Sequence, residues 1–204
     1  DYKHYYFKGL FKANNELETI INDKYVEKGS IPANVQVLRS VGEWSLGLKT
    51  KENSILEAYY QLIENSKHYI YIENQFFISK SFEDNGKPYL VENKIALYIR
   101  NRILKAVKNK EKFRVYIFIP LLPGFAGEPE KSGTLQIILK YTYEGICRNN
   151  GLSIIEKLKE ELDKIGEKWE DYIGFYSLRN HALVNGIPKT EIIYIHSKLM
   201  IVDD

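Results

Sequence analysis

The sequence predicts an α/β domain built on a mixed, largely parallel sheet flanked by helices on both faces. Three observations lead there. Runs dense in β-branched and aromatic residues alternate with stretches whose apolar residues recur three and four apart. The segment "FRVYIFIP" (113–120) is apolar at both sets of alternating positions, the pattern of a strand covered on both sides. The chain has 204 residues, 44% of them apolar, enough for one domain with a core of its own.

The elements follow in order. "EKGSIPANVQVLRS" (27–40) reads as a boundary, with Gly29 and Pro32 as punctuation and Val35 and Val37 alternating into a first strand. Residues 1–32 form a leading segment or linker, with a short helix expected over Leu17–Tyr25, and 33–204 form the folded lobe. "SVGEWSLGLKT" (40–50) reads as a loop that ends on Thr50, a cap for a helix over 51–65 in which Ile55, Tyr59 and Leu62 share a face. "HYIYIENQFFIS" (68–79) is a strand by composition. A helix follows over 90–108, then the strand 113–120, then a loop from Leu121. Helices are expected over 135–148 and 153–165 and a strand over 171–178. "RNHALVNGIPKT" (179–190) reads as a loop, and "EIIYIHSKLMIV" (191–202) as the last strand. The order β-α-β-α-β-α-α-β-β places functional groups at the carboxyl ends of strands: Glu73-Asn74-Gln75, Pro120 onward, Leu178-Arg179-Asn180 and the neighbourhood of His196.

Composition excludes several classes. A net charge of +2 argues against a surface built for nucleic acid. No stretch approaches the length of a membrane span, and the aromatic, basic start is not a signal peptide. The single cysteine, Cys147, cannot form a disulfide within the chain and reads as buried packing; it fits a reducing, cytoplasmic setting. No His, Cys or carboxylate cluster has metal-ligand spacing, so no metal is expected. Arg100, Arg102, Lys105, Lys108 and Lys110 read as a solvated helix face.

The chemistry lies near the end of the chain. On a strand, residues two apart point the same way, so His196 and Lys198 share a face, and Ser197 and Leu199 the other. An ammonium binds a phosphoryl oxygen as a point charge. An imidazole can attack phosphorus or move a proton near neutral pH. Asp203, seven residues after His196, would face away from it on a continuous strand. It is better placed at the following turn, bonding backbone N–H groups as an orienter. Glu73, Asn74 and Gln75 are candidate substrate-binding residues at a strand end; alternation sets Tyr71, Glu73 and Gln75 on one side and Ile72 and Asn74 on the other.

The pattern His196-x-Lys198-x4-Asp203 resembles the HKD motif of the phospholipase D superfamily. Four segments are similar to its eukaryotic, phosphatidylcholine-hydrolysing branch: "VQVLRSVGEWS" (35–45), "NSILEAYYQLIENSKHYIYIENQFFIS" (53–79), "YIFIPLLPGF" (116–125) and "IIYIHSKLMIVDD" (192–204). The resemblance implies a two-lobed protein with one HKD motif per lobe and one site between the lobes. The implied reaction is hydrolysis of phosphatidylcholine to phosphatidate and choline, or transfer of the phosphatidyl group to an alcohol, through a phosphohistidine. No cofactor is implied in this lobe, and nothing in the pattern fixes a phosphoinositide or calcium requirement.

By the same resemblance the chain is similar to the second lobe. His4, His68 and His181 begin no HKD pattern, so the first motif is absent and the missing N-terminal lobe is the expected partner. His196 is then the general acid/base and Lys198 the phosphate ligand. The family's following strand and its "GSxN" segment are also absent, so the lobe is expected to be incomplete at its C-terminus, its last strand without a sheet neighbour, and the 204 residues inactive alone. A phospholipid substrate and a peripheral membrane location follow, with Leu121, Leu122 and Phe125 near a lipid entrance. Two alternatives stay open: a homodimeric one-motif phosphodiesterase or nuclease, and a catalytically silent lipid-binding lobe.

Overall fold

A computed structural model describes residues 29, 31, 33–84, 89–124 and 133–203. The leading segment, with the expected helix over Leu17–Tyr25, lies outside the described residues, as do Phe125 and Asp204. All regular elements among the described residues lie in the compact unit Leu38–Asp204.

The elements are β1 (Ser40–Val41), α1 (Glu43–Leu46), β2 (Glu52–Asn53), α2 (Ser54–Asn65), β3 (Tyr69–Asn74), α3 (Ile95–Asn109), β4 (Arg114–Phe118), α4 (Gly133–Ile146), α5 (Ile154–Leu162), β5 (Ile173–Tyr176), β6 (Arg179–Val184), β7 (Ile187–Ile192) and β8 (Lys198–Val202). The main sheet runs β5-β4-β3-β8. β3, β4 and β5 are parallel, and β8 lies antiparallel to β3, with Lys198 opposite Asn74 and Val202 opposite Ile70. This is the mixed, largely parallel sheet flanked by helices that the sequence predicts.

The period-two pattern decides what the sheet covers. Ile70, Ile72, Val115, Ile117 and Ile173 point to one face and are buried against Ile63 of α2, Ile99 and Ile103 of α3, and Leu158 and Leu162 of α5. The alternate positions carry rings: Tyr71 contacts Phe118 at 5.3 Å between centroids, and Phe118 contacts Tyr176 at 5.1 Å. α5 is set by a capping box at Ser153, whose hydroxyl accepts the Glu156 N–H while the Glu156 carboxylate accepts from Ser153. Burial opposes ionisation of Glu156, yet the Ser153 hydroxyl and the N–H groups of Asn149 and Ser153 hold its carboxyl down at about 2.

Several expectations change. Residues 33–39 form no strand; the first strand is Ser40–Val41, paired with Glu52–Asn53 and clamped by the bidentate Arg39–Glu52 pair. The predicted loop 40–50 contains the single helical turn α1, and α2 begins after Asn53, so Thr50 is not its cap. The predicted loop 179–190 is most of a hairpin, β6 paired with β7. Its turn, Asn185-Gly186, has positive φ at both residues (53° and 76°), the two-residue geometry that matches strand twist. The predicted last strand is three pieces: Glu191 and Ile192 finish the hairpin, 193–197 are irregular, and only Lys198–Val202 is strand. That strand has a sheet neighbour, β3. Cys147 is exposed, not packed. Arg102 is buried, donating to the carbonyls of Ser66 and Lys67 with its guanidinium 4.1 Å from the Phe113 ring, so it is no part of a solvated face.

Candidate functional site

The site is built where β3 ends and β8 begins. Because β8 is antiparallel to its neighbour, its amino end meets the carboxyl ends of the three parallel strands. His196 lies in the irregular segment before β8 and is exposed. Its ring stacks on Tyr194 with centroids 6.2 Å apart and planes 24° from parallel. Lys198 is the first residue of β8, and its Nζ donates to the His196 carbonyl at 2.7 Å and to Gln75 Oε1 at 2.9 Å. The Gln75 amide then donates through Nε2 to the Tyr194 hydroxyl at 2.7 Å, and its backbone N–H donates to the Ser197 carbonyl at 3.2 Å. One glutamine therefore fixes the lysine ammonium, the tyrosine beside the histidine, and the backbone between them.

The triplet at the end of β3 divides differently from a regular alternation. Gln75 falls after the last strand residue, Asn74, and turns toward Lys198 rather than following Glu73. Glu73 accepts from the Ser197 hydroxyl and, at 2.8 Å, from the Tyr71 hydroxyl. The Ser197 hydroxyl first, and Tyr71 second, hold its carboxyl below the usual carboxylate range. Asn74 stands opposite Lys198, and its Oδ1 is buried without a hydrogen-bond donor. So Gln75 joins the His196–Lys198 cluster, while Glu73 joins Ser197 on the ring-bearing side of the sheet.

Asp203 stands at the far end of β8. It lies five positions beyond Lys198, roughly 16 Å at about 3.3 Å per residue. Its carboxylate accepts the backbone N–H groups of Lys67, His68 (2.6 Å) and Tyr69 (3.0 Å), which lead into β3. Burial raises its pKa, but the bonds from His68, Tyr69 and Lys67 outweigh that and leave it lowered. Its φ of 54° is left-handed, a conformation that aspartate adopts more readily than most residues.

An apolar cavity of about 130 Å³ adjoins Gln75, lined by Phe77, Leu121, Leu139, Tyr143 and Ile146 among others. Leu121 and Leu122 are exposed. Tyr194 packs so closely over Gly124 that a Cβ there would sit 2.6 Å from its ring. Tyr194, Ser197 and Tyr71 were not singled out by sequence reasoning. The two-residue offset of Tyr194 from His196 was the available signal, the same offset that drew attention to Lys198. Among the described residues no group of His, Cys, Asp and Glu could hold a metal ion. No helix among them is long and apolar enough to cross a membrane.

Comparison with known proteins gives the arrangement its family. The phospholipase D family profile matches residues 11–192, ending before His196, so the match does not depend on the HKD pattern. The chain is 50% identical to phospholipase D1 of Mus musculus over 183 residues, 89% of this chain and 16% of that protein. It is 49% identical to phospholipase D2 of Bos taurus over 174 residues, 84% of this chain and 18% of that protein. It is 41% identical to phospholipase D zeta 2 of Arabidopsis thaliana over 201 residues, 96% of this chain and 18% of that protein. It thus spans less than a fifth of the length of these relatives. The chain belongs to the phospholipase D family, alongside its eukaryotic members.

Proposed function

We propose that this chain supplies the second-lobe half of a phospholipase D active site, in a longer protein that hydrolyses phosphatidylcholine to phosphatidate and choline or passes the phosphatidyl group to an alcohol. The observation that carries the reading is the cluster at the carboxyl edge of the sheet: an exposed imidazole next to an ammonium held in place by Gln75. Lys198 binds a phosphoryl oxygen. An imidazole from the other lobe attacks phosphorus; as the P–O bond to choline breaks, His196 donates its proton to the leaving oxygen. His196, now neutral, takes a proton from water, the water oxygen attacks phosphorus, and the P–N bond breaks to release phosphatidate. Two imidazoles are needed, because one bonded to phosphorus cannot also accept that proton.

Asp203 acts as an orienter, tying the end of β8 to the start of β3, and Gln75 positions Lys198 from the substrate-binding triplet. Asn74, directly opposite Lys198, borders the headgroup side, and Glu73 holds the Ser197 hydroxyl from the other face. The protein works at a cytoplasmic membrane surface as a peripheral enzyme.

The test is choline release from phosphatidylcholine by the full-length protein. His196→Ala is expected to abolish it, and Lys198→Ala to reduce it strongly. The 204 residues alone are expected to release none. Turnover by the 204 residues, abolished by His196→Ala and carried by a dimer, would replace the two-lobe reading with a homodimeric one-motif site.

A further inference from the structure

The hairpin β6–β7 is exposed at every one of its positions. An isolated two-stranded hairpin is marginal in water and normally needs a surface to lie on. Its place matters. β6 begins three residues after the end of β5, and β7 ends four residues before His196. The Ile193 N–H donates to the Leu178 carbonyl at 3.0 Å, closing the stem where it leaves the sheet. The hairpin therefore rises from the same edge that carries His196 and Lys198, reaching about 20 Å at about 3.3 Å per residue.

Polarity in this hairpin changes along its length and not across its faces. A hairpin that packs on a protein surface alternates, apolar in and polar out. Here the pairs next to the turn, Val184–Ile187 and Leu183–Pro188, are apolar on both faces. Leu183 is 72% exposed, Ile187 57% and Val184 52%. Toward the stem the pairs are His181–Thr190 and Asn180–Glu191, with Lys189 and Arg179 as cations and Ala182 and Ile192 as the apolar exceptions. Arg179 and Lys189 against Glu191 leave the stem net positive by one charge. An apolar end above a polar, cationic stem matches a bilayer met end-on: the tip enters the acyl boundary and the stem stays among anionic phosphates.

We propose that the β6–β7 hairpin dips its Leu183–Pro188 tip into a phospholipid bilayer and so seats the His196–Lys198 edge on the membrane. The proposal deepens the hydrolytic reading and rests on it for the link to catalysis, but the contact itself can be read separately.

The experiment uses the full-length protein and mixed phosphatidylcholine–phosphatidylserine vesicles. Leu183→Asp with Ile187→Asp is expected to weaken vesicle binding and vesicle turnover by about tenfold or more. Turnover of a short-chain phosphatidylcholine kept monodisperse should stay unchanged. Leu183→Ser with Ile187→Ser, gentler on folding, should give the same split in smaller measure. Ile187→Trp should gain fluorescence quenching by brominated acyl chains over the parent protein. Unaltered vesicle turnover, or no gain in quenching, would overturn the proposal. So would a parallel loss on monodisperse substrate, which would place the hairpin against another part of the polypeptide. If the parent hydrolyses neither vesicle nor monodisperse phosphatidylcholine, the hydrolytic reading fails while the quenching still decides the hairpin.

Discussion

The two ends of β8 are treated differently by the fold. At its amino end, Lys198 and His196 are exposed and held by side-chain contacts to Gln75 and Tyr194. At its carboxyl end, Asp203 is half-buried and accepts three backbone N–H groups that belong to the entry of β3. Both ends carry a residue of the same short motif. One end presents groups that a substrate can reach, and the other locks the strand to its neighbour. A motif of eight residues therefore mixes two kinds of constraint. In the proposed function Lys198 matters for what it can touch, and Asp203 for keeping β8 in the register that puts Lys198 opposite Asn74.

The sharpest way to break this comparison is to cut each end in turn. His196→Ala in the full-length protein should lower choline release by about a thousandfold or more, the scale of losing a positioned acid/base. Its urea-unfolding midpoint should stay where it was. Asp203→Ala should do the reverse first: it orphans three N–H groups and costs about 3 kcal/mol of stability. Activity per folded molecule should fall less than for His196→Ala. If the two variants lose stability equally, the division of labour along β8 is wrong.

How far the sequence foretold this division varies by residue. The apolar alternation of "YIYI" and "RVYIF" was enough to place β3 and β4, because burial imposes period two and leaves few other readings. His196 and Lys198 were legible as neighbours from their spacing, but the shared face was read from a continuous strand, and the strand begins only at Lys198. The partners of Asp203 were not legible, because they lie 134 to 136 residues away and follow from the β3–β8 register. Gln75 was assigned to the wrong side because the strand stops one residue earlier, at Asn74, and strict alternation stops with it. The hairpin was missed although Asn185-Gly186 is a strong turn signal. Its strands lack alternation, and with no buried face there was no period to detect.

A smaller effect separates the two ends by pH. The pKa of Asp203 is lowered in the folded state, so its contribution to stability is complete above the ordinary aspartate value near 3.9 and is lost as pH falls through the lower folded value. Glu156 behaves in the same sense, and its share disappears only on approach to about 2. Unfolding stability measured from pH 5 downward should therefore decline in the parent. Asp203→Asn should make that decline shallower below about 3.9 and leave the Glu156 part, which begins at the higher ordinary glutamate value, in place. An unchanged slope in Asp203→Asn would mean that the carboxylate is not what ties β8 down.

The smallest expected effect tests the other end. Tyr194→Phe removes the hydroxyl that accepts from the Gln75 amide but keeps the ring over Gly124 and beside His196. Gln75 can still offer Oε1 to Lys198, so the ammonium keeps both its acceptors, Gln75 Oε1 and the His196 carbonyl, with a looser amide. A single hydrogen bond of this kind is worth about 1 kcal/mol, which corresponds to a fewfold change. If Lys198 holds phosphate equally in the ground state and the transition state, the loss belongs in KM, with kcat little changed. Gln75→Ala should exceed it, since it frees the lysine as well as the tyrosine. Should Tyr194→Phe lower kcat with KM intact, the hydroxyl would be acting on the chemistry through His196, and the amino end of β8 would hold its catalytic group more tightly than its exposure suggests.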